Sequence, residues 1–191
     1  MADSGAVCLV VGVAAMLTAN AVAQVEAQRT QPAMAIARNV RVGAFLEPCL
    51  GAMLERSPTF RLTYAAIAHR RDVRVSLTFD LRSDATATRA KTDITRFGDG
   101  GLVAAIHLYT TRDVVELIAH EMEHVREQTE GVNLRLLAMI RSPGIVQVGR
   151  NSFESERAVN VGLKVAGEVG HSGDRLCGPE LRNAALIRQP F

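Results

Sequence analysis

The sequence predicts an α+β fold in which a small antiparallel sheet of about three strands packs against helices. Residues 73–79 alternate between apolar and other side chains, as a strand with one buried face does. Residues 102–109 are a second apolar run, and residues 86–97 read as a polar, threonine-rich edge strand. Residues 110–131 and 153–169 instead repeat their apolar positions at helical spacing. Three successive strands imply an antiparallel sheet.

The first 23 residues predict a signal peptide. Residues 5–23 carry no charge and end in an Ala-Val-Ala sequence immediately before Gln24, which matches the A-x-A type of cleavage site. The amino-terminal part contains Asp3 and neither lysine nor arginine, so an uncleaved membrane anchor is the alternative. We expect cleavage, a secreted or periplasmic protein and a single domain over residues 24–191.

Two cysteines remain after such cleavage, because Cys8 leaves with the amino-terminal segment. An even number of cysteines in an exported chain is typical of a disulfide. We expect Cys49 and Cys177 to be bonded and to tie the amino-terminal helices to the carboxyl-terminal tail. The alternative is two separate thiols that behave as small buried apolar groups.

The remaining elements follow from local signals. Ser57 followed by Pro58 is an N-cap with proline at the first helical position. Periodic apolar residues define the other helices, and Pro143 breaks the last of them. We predict helices over residues 47–55, 58–69 and 132–141, and a loop over residues 145–152.

Composition excludes some classes of partner. The chain has a net charge of +2, no tryptophan and only 4% aromatic residues. Stacking on nucleic-acid bases is poorly supported by so few aromatic rings. So small a basic excess indicates neither nucleic-acid binding nor membrane-surface binding. We therefore expect no nucleic-acid partner, and no membrane partner after signal cleavage.

The helix predicted over residues 110–131 carries an H-E-x-x-H motif from His120 to His124. At about 100° per residue the two histidines lie about 40° apart on one face, so two imidazoles can bind one cation from adjacent turns. Zinc is the usual occupant, with neutral imidazole nitrogens as its ligands. Thr110 and Asp113 are placed to form a capping box at the start of this helix.

Glu121 lies in the middle of the apolar arc of the motif helix, whereas Glu116, Glu123 and Glu127 lie together on the side expected to face solvent. A carboxylate among core residues is costly unless a partner or a metal-bound water receives it. We therefore interpret Glu121 as the general base for a zinc-bound water. The alternative is a solvated helix with incidental histidines.

A catalytic zinc needs a third protein ligand and an open position for water. The metzincin pattern is excluded, because Glu127 and Glu130 stand where that pattern has glycine and histidine. In a helix over residues 153–169, Glu154 shares the inward apolar side and Glu156 faces away from it. The predicted zinc ligands are His120, His124 and Glu154, with Glu156 as the alternative third ligand.

This pattern, H-E-x-x-H on one helix and Glu154 in the sequence Phe-Glu-Ser-Glu-Arg-Ala on a later one, resembles the gluzincin branch of zinc metallopeptidases. The resemblance covers about residues 101–169 and includes a preceding strand that in zincins forms the upper edge of the cleft. The whole sequence is also similar to small exported bacterial proteins of the metallopeptidase type. Ala158 stands where gluzincins commonly have an aspartate that supports a ligand. The resemblance implies a zincin-like active-site helix and a zincin-like metallopeptidase domain.

The function expected is zinc-dependent hydrolysis of peptide bonds, with Zn²⁺ as cofactor and a peptide or protein as substrate. The edge of the strand over residues 102–109 is expected to pair with the substrate backbone. Tyr109 and His171 are candidates for oxyanion or substrate contacts. Two alternatives stay open: a non-catalytic zinc protein, structural or peptide-binding, and an amidase that acts on cell-wall peptides with the same site.

Overall fold

The computed structural model describes residues 36–80, 88–170 and residue 177. These residues form a mixed α+β fold, as predicted. The elements, in chain order, are β1 (Val40–Val42), a 3-10 helix (Ala44–Leu46), α1 (Glu47–Arg56), α2 (Pro58–Ala68), β2 (Val73–Phe79), β3 (Ala90–Arg96), β4 (Leu102–Leu108), α3 (Val114–Thr129), α4 (Leu134–Met139), β5 (Ile145–Gly149), β6 (Ser152–Ser155) and α5 (Glu156–Val169).

The main sheet is mixed, and the prediction of a purely antiparallel sheet of three strands is wrong. In the described ranges the sheet has four strands in the order β1-β2-β4-β3. Strand β2 runs parallel to both β1 and β4, whereas β3 and β4 are antiparallel. The reason is that β3 pairs with the outer side of β4, so β2 and β4 become neighbours although they are not consecutive. The polar strand predicted at an edge is confirmed as β3.

The core lies on the sheet face that carries the alternating apolar residues of β2 and β4. Phe79 packs against this core and is partly buried. The inward face predicted for residues 73–79 is therefore confirmed. Helix α3 packs against both β3 and β4, so the motif helix is seated directly on the sheet. The buried residues of the two strands are Val73, Val75, Leu77, Leu102, Ala104, Ile106 and Leu108.

Helix starts follow the sequence signals in one case and depart from them in another. Ser57 caps α2 by accepting a hydrogen bond from the backbone N–H of Phe60 at 2.9 Å, as predicted. The predicted capping box at the start of α3 is wrong. Thr110 instead accepts from the backbone N–H of Arg112, and α3 begins after Asp113, whose φ is 54°. Asp113 adopts this left-handed conformation because its short side chain tolerates it.

Residues 145–155 form a hairpin, although a loop and the first turn of a helix were predicted there. Strands β5 and β6 pair antiparallel, with an irregularity between Gln147 and Gly149. Ser155 then caps α5, because its Oγ accepts from the backbone N–H of Ala158 at 3.0 Å. A cap at this position starts the helix at Glu156 and leaves the preceding residues extended.

A disulfide joins Cys49 in α1 to Cys177, as predicted. It links positions 128 residues apart, one near the start of the described chain and one beyond α5. The predicted signal peptide over residues 1–23 lies outside the described residues. Within those ranges, no helix has both the length and the apolar character needed to cross a membrane.

Candidate metal centre

Helix α3 places the two motif histidines one turn apart on the same face, as its period predicts. The ring centroids of His120 and His124 are 4.9 Å apart. Both side chains are mostly buried, with exposed fractions of 17% and 11%. The rings are held at the surface of the helix that faces the β5–β6 hairpin, since the Nε2 atom of each contacts a carboxylate there.

That carboxylate is Glu154, the third ligand predicted from the sequence. Its Oε1 atom lies 3.3 Å from Nε2 of His120 and 3.3 Å from Nε2 of His124. The structure therefore brings Glu154 to the two histidines, but the residue belongs to β6 and not to the helix on which it was predicted. Glu156, the alternative ligand, is the first residue of α5 and is exposed, with its side chain beside Gly144.

The three donors could hold a metal ion. One ligand atom from each residue lies within 4.8 Å of the other two. Zinc binds histidine nitrogen and carboxylate oxygen at about 2.0–2.1 Å, and corners of a tetrahedron at that radius are about 3.3 Å apart. The two distances from Glu154 to the imidazoles match this edge length. Two imidazoles and one carboxylate are also a donor set that zinc accepts with one position left open.

Burial and neighbouring charged residues both shift the pKa values of His124 and Glu154. Burial alone lowers the pKa of His124, but hydrogen bonds to Glu127 and Glu154, together with the charge of Glu121, raise this pKa to about 9. Burial alone raises the pKa of Glu154, but the hydrogen bonds and charges of the two imidazoles lower it to about 2. A bound cation would therefore take the place of the proton on His124, beside a carboxylate that is already charged.

A second carboxylate contacts the other ring nitrogen of His124, the one that does not face Glu154. Oε2 of Glu127 lies 2.9 Å from Nδ1 of His124, and Oε1 of Glu127 accepts from the hydroxyl of Ser155 at 2.7 Å. Such a carboxylate on the far nitrogen of a ligand histidine fixes the ring and increases the basicity of the ligating nitrogen. Glu127 was expected to point to water and is instead buried. Glu127 thus makes the supporting contact to a histidine that the aspartate of gluzincins makes, whereas Ala158, which stands at that aspartate's position and is buried, has no carboxylate.

Glu121 is buried, as its position in the apolar arc predicts, and it has a partner. The hydroxyl of Thr92 in β3 donates to Oε2 of Glu121 at 2.5 Å. The exposed fraction of Glu121 is 7%. The charge of Glu121 also contributes to the raised pKa of His124, which sets the carboxylate within electrostatic reach of the group.

Helices α3 and α5 meet closely beside the histidines, and a glycine permits this approach. A Cβ atom at Gly162 would lie 3.0 Å from the carbonyl oxygen of Glu116 and 3.2 Å from Cβ of His120. Contacts this short force neighbouring atoms to move. The absence of a side chain at Gly162 is therefore part of what holds His120 in place.

The two predicted substrate-contact residues do not join the group. The ring of Tyr109 stacks on that of His107, with centroids 6.4 Å apart. No hydrogen bond or ion pair among the described residues links Tyr109 to the histidines or to Glu154. His171 lies outside the described residues. The hydroxyls of Thr92 and Ser155 were not predicted, because their contacts with Glu121 and Glu127 join elements that are distant in sequence. The support of His124 by Glu127 was not predicted either, although the two residues are only three positions apart on α3.

Comparison of the chain with protein-family models, with curated proteins and with solved structures gives no match.

Proposed function

We propose that this protein is a zinc-dependent peptidase, similar in its site to gluzincins, which hydrolyses peptide bonds outside the cytoplasm. The single observation that carries the proposal is the meeting of His120, His124 and Glu154, with one donor atom of each within 4.8 Å of the other two. The charge of Glu121 acts on His124, which places the proposed general base within electrostatic reach of this group. The disulfide between Cys49 and Cys177 supports export, because such bonds persist in oxidising compartments.

The residues of the site have distinct roles in this proposal. His120, His124 and Glu154 hold the metal, which supplies Lewis acidity to a water molecule and to the substrate carbonyl. Glu121 accepts the proton of the attacking water and returns it to the leaving amine as the C–N bond breaks and the C–O bond forms. Thr92 holds the carboxylate of Glu121 in one orientation by donating to its Oε2 atom.

The substrate backbone is proposed to pair with β3 and not with residues 102–109. Strand β4 lies between β2 and β3 and has a partner on both sides, so it offers no free edge. Strand β3 is one of the two outer strands of the described sheet, the other being β1, and its Thr92 contacts Glu121. An extended peptide added to this edge gains main-chain hydrogen bonds at any sequence, which brings its backbone next to the general base.

The test is cleavage of a mixed peptide library by the zinc-loaded protein, read by mass spectrometry, with Glu121→Gln as the matched variant. We expect the parent to cut peptides, and the variant to bind the same amount of zinc and to lose roughly 10²–10⁴-fold in rate. Unchanged activity in Glu121→Gln would exclude the proposed role of Glu121. Full zinc occupancy without cleavage by the parent would favour the non-catalytic zinc protein instead.

A further inference from the structure

Helix α4 and strand β5 expose large apolar side chains on neighbouring elements. The two elements pack against each other, and we name their exposed apolar residues together the α4–β5 surface. Each of its five residues is more than half exposed, with fractions from 52% to 72%. They are Leu136, Met139, Ile140, Val146 and Val148. An exposed cluster of this kind marks an interaction site more often than a scattered apolar residue does.

The charged residues within the chain segment that carries this surface are all arginines. Residues 131–153 contain three arginines and no aspartate or glutamate. Arg135, Arg141 and Arg150 are exposed, and none of them forms an ion pair with another described residue. Two carboxylates border the segment, since Glu156 lies beside Gly144 and Glu154 pairs with Val146. The surface is therefore both apolar and cationic, a combination that the net charge of +2 for the whole chain does not reveal.

We propose that the α4–β5 surface docks on a bilayer that contains anionic lipids. Apolar side chains flanked by arginines suit an interface in which acyl chains lie beneath negatively charged headgroups. Each arginine near such a surface increases binding about fivefold, and the apolar residues add partial insertion. This docking does not depend on hydrolysis, so it stands apart from the proposed function.

The α4–β5 surface adjoins one of the proposed metal ligands His120, His124 and Glu154, which we call the metal group. Val146 pairs directly with Glu154 across the hairpin, so the two side chains lie on the same face of β5 and β6. The surface therefore begins next to the third proposed ligand and extends over α4. A bilayer bound there brings the metal group close to the membrane plane.

The absence of tryptophan from the chain permits a site-specific test. Met139→Trp places a lone indole on the surface, and Leu163→Trp places one on α5 at a position that is also 55% exposed. Vesicles of phosphatidylglycerol and phosphatidylcholine are added to the full-length chain, and vesicles of phosphatidylcholine alone serve as the uncharged control. We expect the emission of Met139→Trp to shift to shorter wavelength with the anionic vesicles only, and that of Leu163→Trp to stay unchanged.

The charge requirement is tested in the same background. Replacing Arg135, Arg141 and Arg150 together by glutamine in Met139→Trp is expected to weaken vesicle binding on the order of a hundredfold. Because each indole reports its own surroundings, a membrane-bound amino-terminal segment does not produce the shift. Equal responses from both indoles, or no shift with anionic vesicles, would overturn the proposal. A blue shift of Met139→Trp that rises with protein concentration in the absence of lipid would assign the surface to self-association instead.

Discussion

Three buried glutamates of α3 each accept a hydrogen bond from a hydroxyl on a different element. A buried carboxylate without such a partner costs several kcal/mol, so these contacts allow three charges to lie in the interior. The hydroxyls come from β3, from α2 and from the residue that caps α5, and together they orient the helix that bears the motif. The pairs are Thr92 with Glu121, Thr63 with Glu123 and Ser155 with Glu127, at 2.5, 2.6 and 2.7 Å.

The contact of Thr92 with Glu121, the proposed general base, predicts a positioning role for Thr92. We expect Thr92→Val to lower kcat by roughly ten- to a hundredfold, because a hydrogen bond to a charged group is lost while the shape of the side chain is kept. Zinc content and KM are expected to stay close to those of the parent. Thr92→Ser keeps the hydroxyl and is the control, with most of the activity retained. Equal kcat in Thr92→Val and Thr92→Ser would exclude this role.

The sequence predicted the burial of only one of these three glutamates. Glu121 was recognised because it lies in the single apolar arc of α3. Glu123 and Glu127 were assigned to solvent, but α3 also packs against α2 and α5, so a second side of the helix is covered. Arg157 of α5 pairs with the buried Glu123, a contact that no helical period encodes. A periodicity argument describes a helix with one buried face and fails for a helix with several.

At the scale of elements, the crossing of α3 and α5 sets the position of His120. We expect Gly162→Ala to lower the free energy of unfolding by about 1–3 kcal/mol and to weaken zinc binding, because the new methyl group meets Glu116 and His120. Gly167→Ala on the same helix is the matched control, since no atom lies within 4 Å of its added Cβ. That variant should gain up to about 1 kcal/mol from helix propensity. Equal effects of the two substitutions, measured by urea unfolding, would contradict a close crossing at residue 162.

The end of α5 is attached to the start of α2 by a carboxylate. Glu168 accepts from the hydroxyl of Ser57 at 2.5 Å and from the backbone N–H and hydroxyl of Thr59 at 3.1 and 2.6 Å. Burial alone raises the pKa of Glu168, but these hydrogen bonds outweigh it and lower the pKa. A lowered folded-state pKa stabilises the fold above the unfolded value of about 4.3, and this stabilisation is lost as the pH falls through the folded-state pKa.

We therefore expect Glu168→Gln to lower the free energy of unfolding by about 1 kcal/mol at neutral pH. The difference from the parent should shrink as the pH falls below the unfolded value of about 4.3, and should be lost as the pH passes the lowered folded-state pKa. Urea unfolding at a series of pH values measures this, with the exposed Glu55→Gln as the control. A difference that is constant with pH would show that the charge of Glu168 does not contribute.

The β5–β6 hairpin shows where prediction of elements reached its limit. Glu154 was identified as a ligand because residues 153–169 have a helical period, yet the helix begins at Glu156. The helical period is present from residue 156 onward. Ser155 caps the amino-terminal end of the helix, so the period does not extend back to Glu154. A four-residue strand that pairs only with its neighbour in a hairpin leaves little pattern in the sequence.

At the scale of the whole molecule, two links cross long distances in sequence. The disulfide joins α1 to residue 177, and the metal group joins α3 to β6. The parallel pairing of β2 with β4 is a further long-range feature, and local patterns did not predict it. The composition and the periods predicted the α+β class and both cysteine partners, because these depend on residue type more than on the path of the chain.

The disulfide is expected to stabilise the fold without serving the metal group. We predict that replacing Cys49 and Cys177 together by serine lowers the free energy of unfolding by about 2–5 kcal/mol, because a long loop is no longer closed in the unfolded chain. Zinc content at neutral pH should stay unchanged. Thermal unfolding with and without reductant measures the effect, and reductant should not alter the double variant. Equal stability of parent and double variant would contradict the prediction.

The central claim is that His120, His124 and Glu154 form one zinc site. Its most direct measurement is the zinc content of the purified protein after gentle dialysis, compared among the parent, Glu154→Ala and Glu156→Ala. We predict about one equivalent of zinc in the parent and in Glu156→Ala, and loss of zinc from Glu154→Ala. A parent that holds no zinc even after reloading, or Glu154→Ala that keeps it as firmly as the parent, would contradict the account.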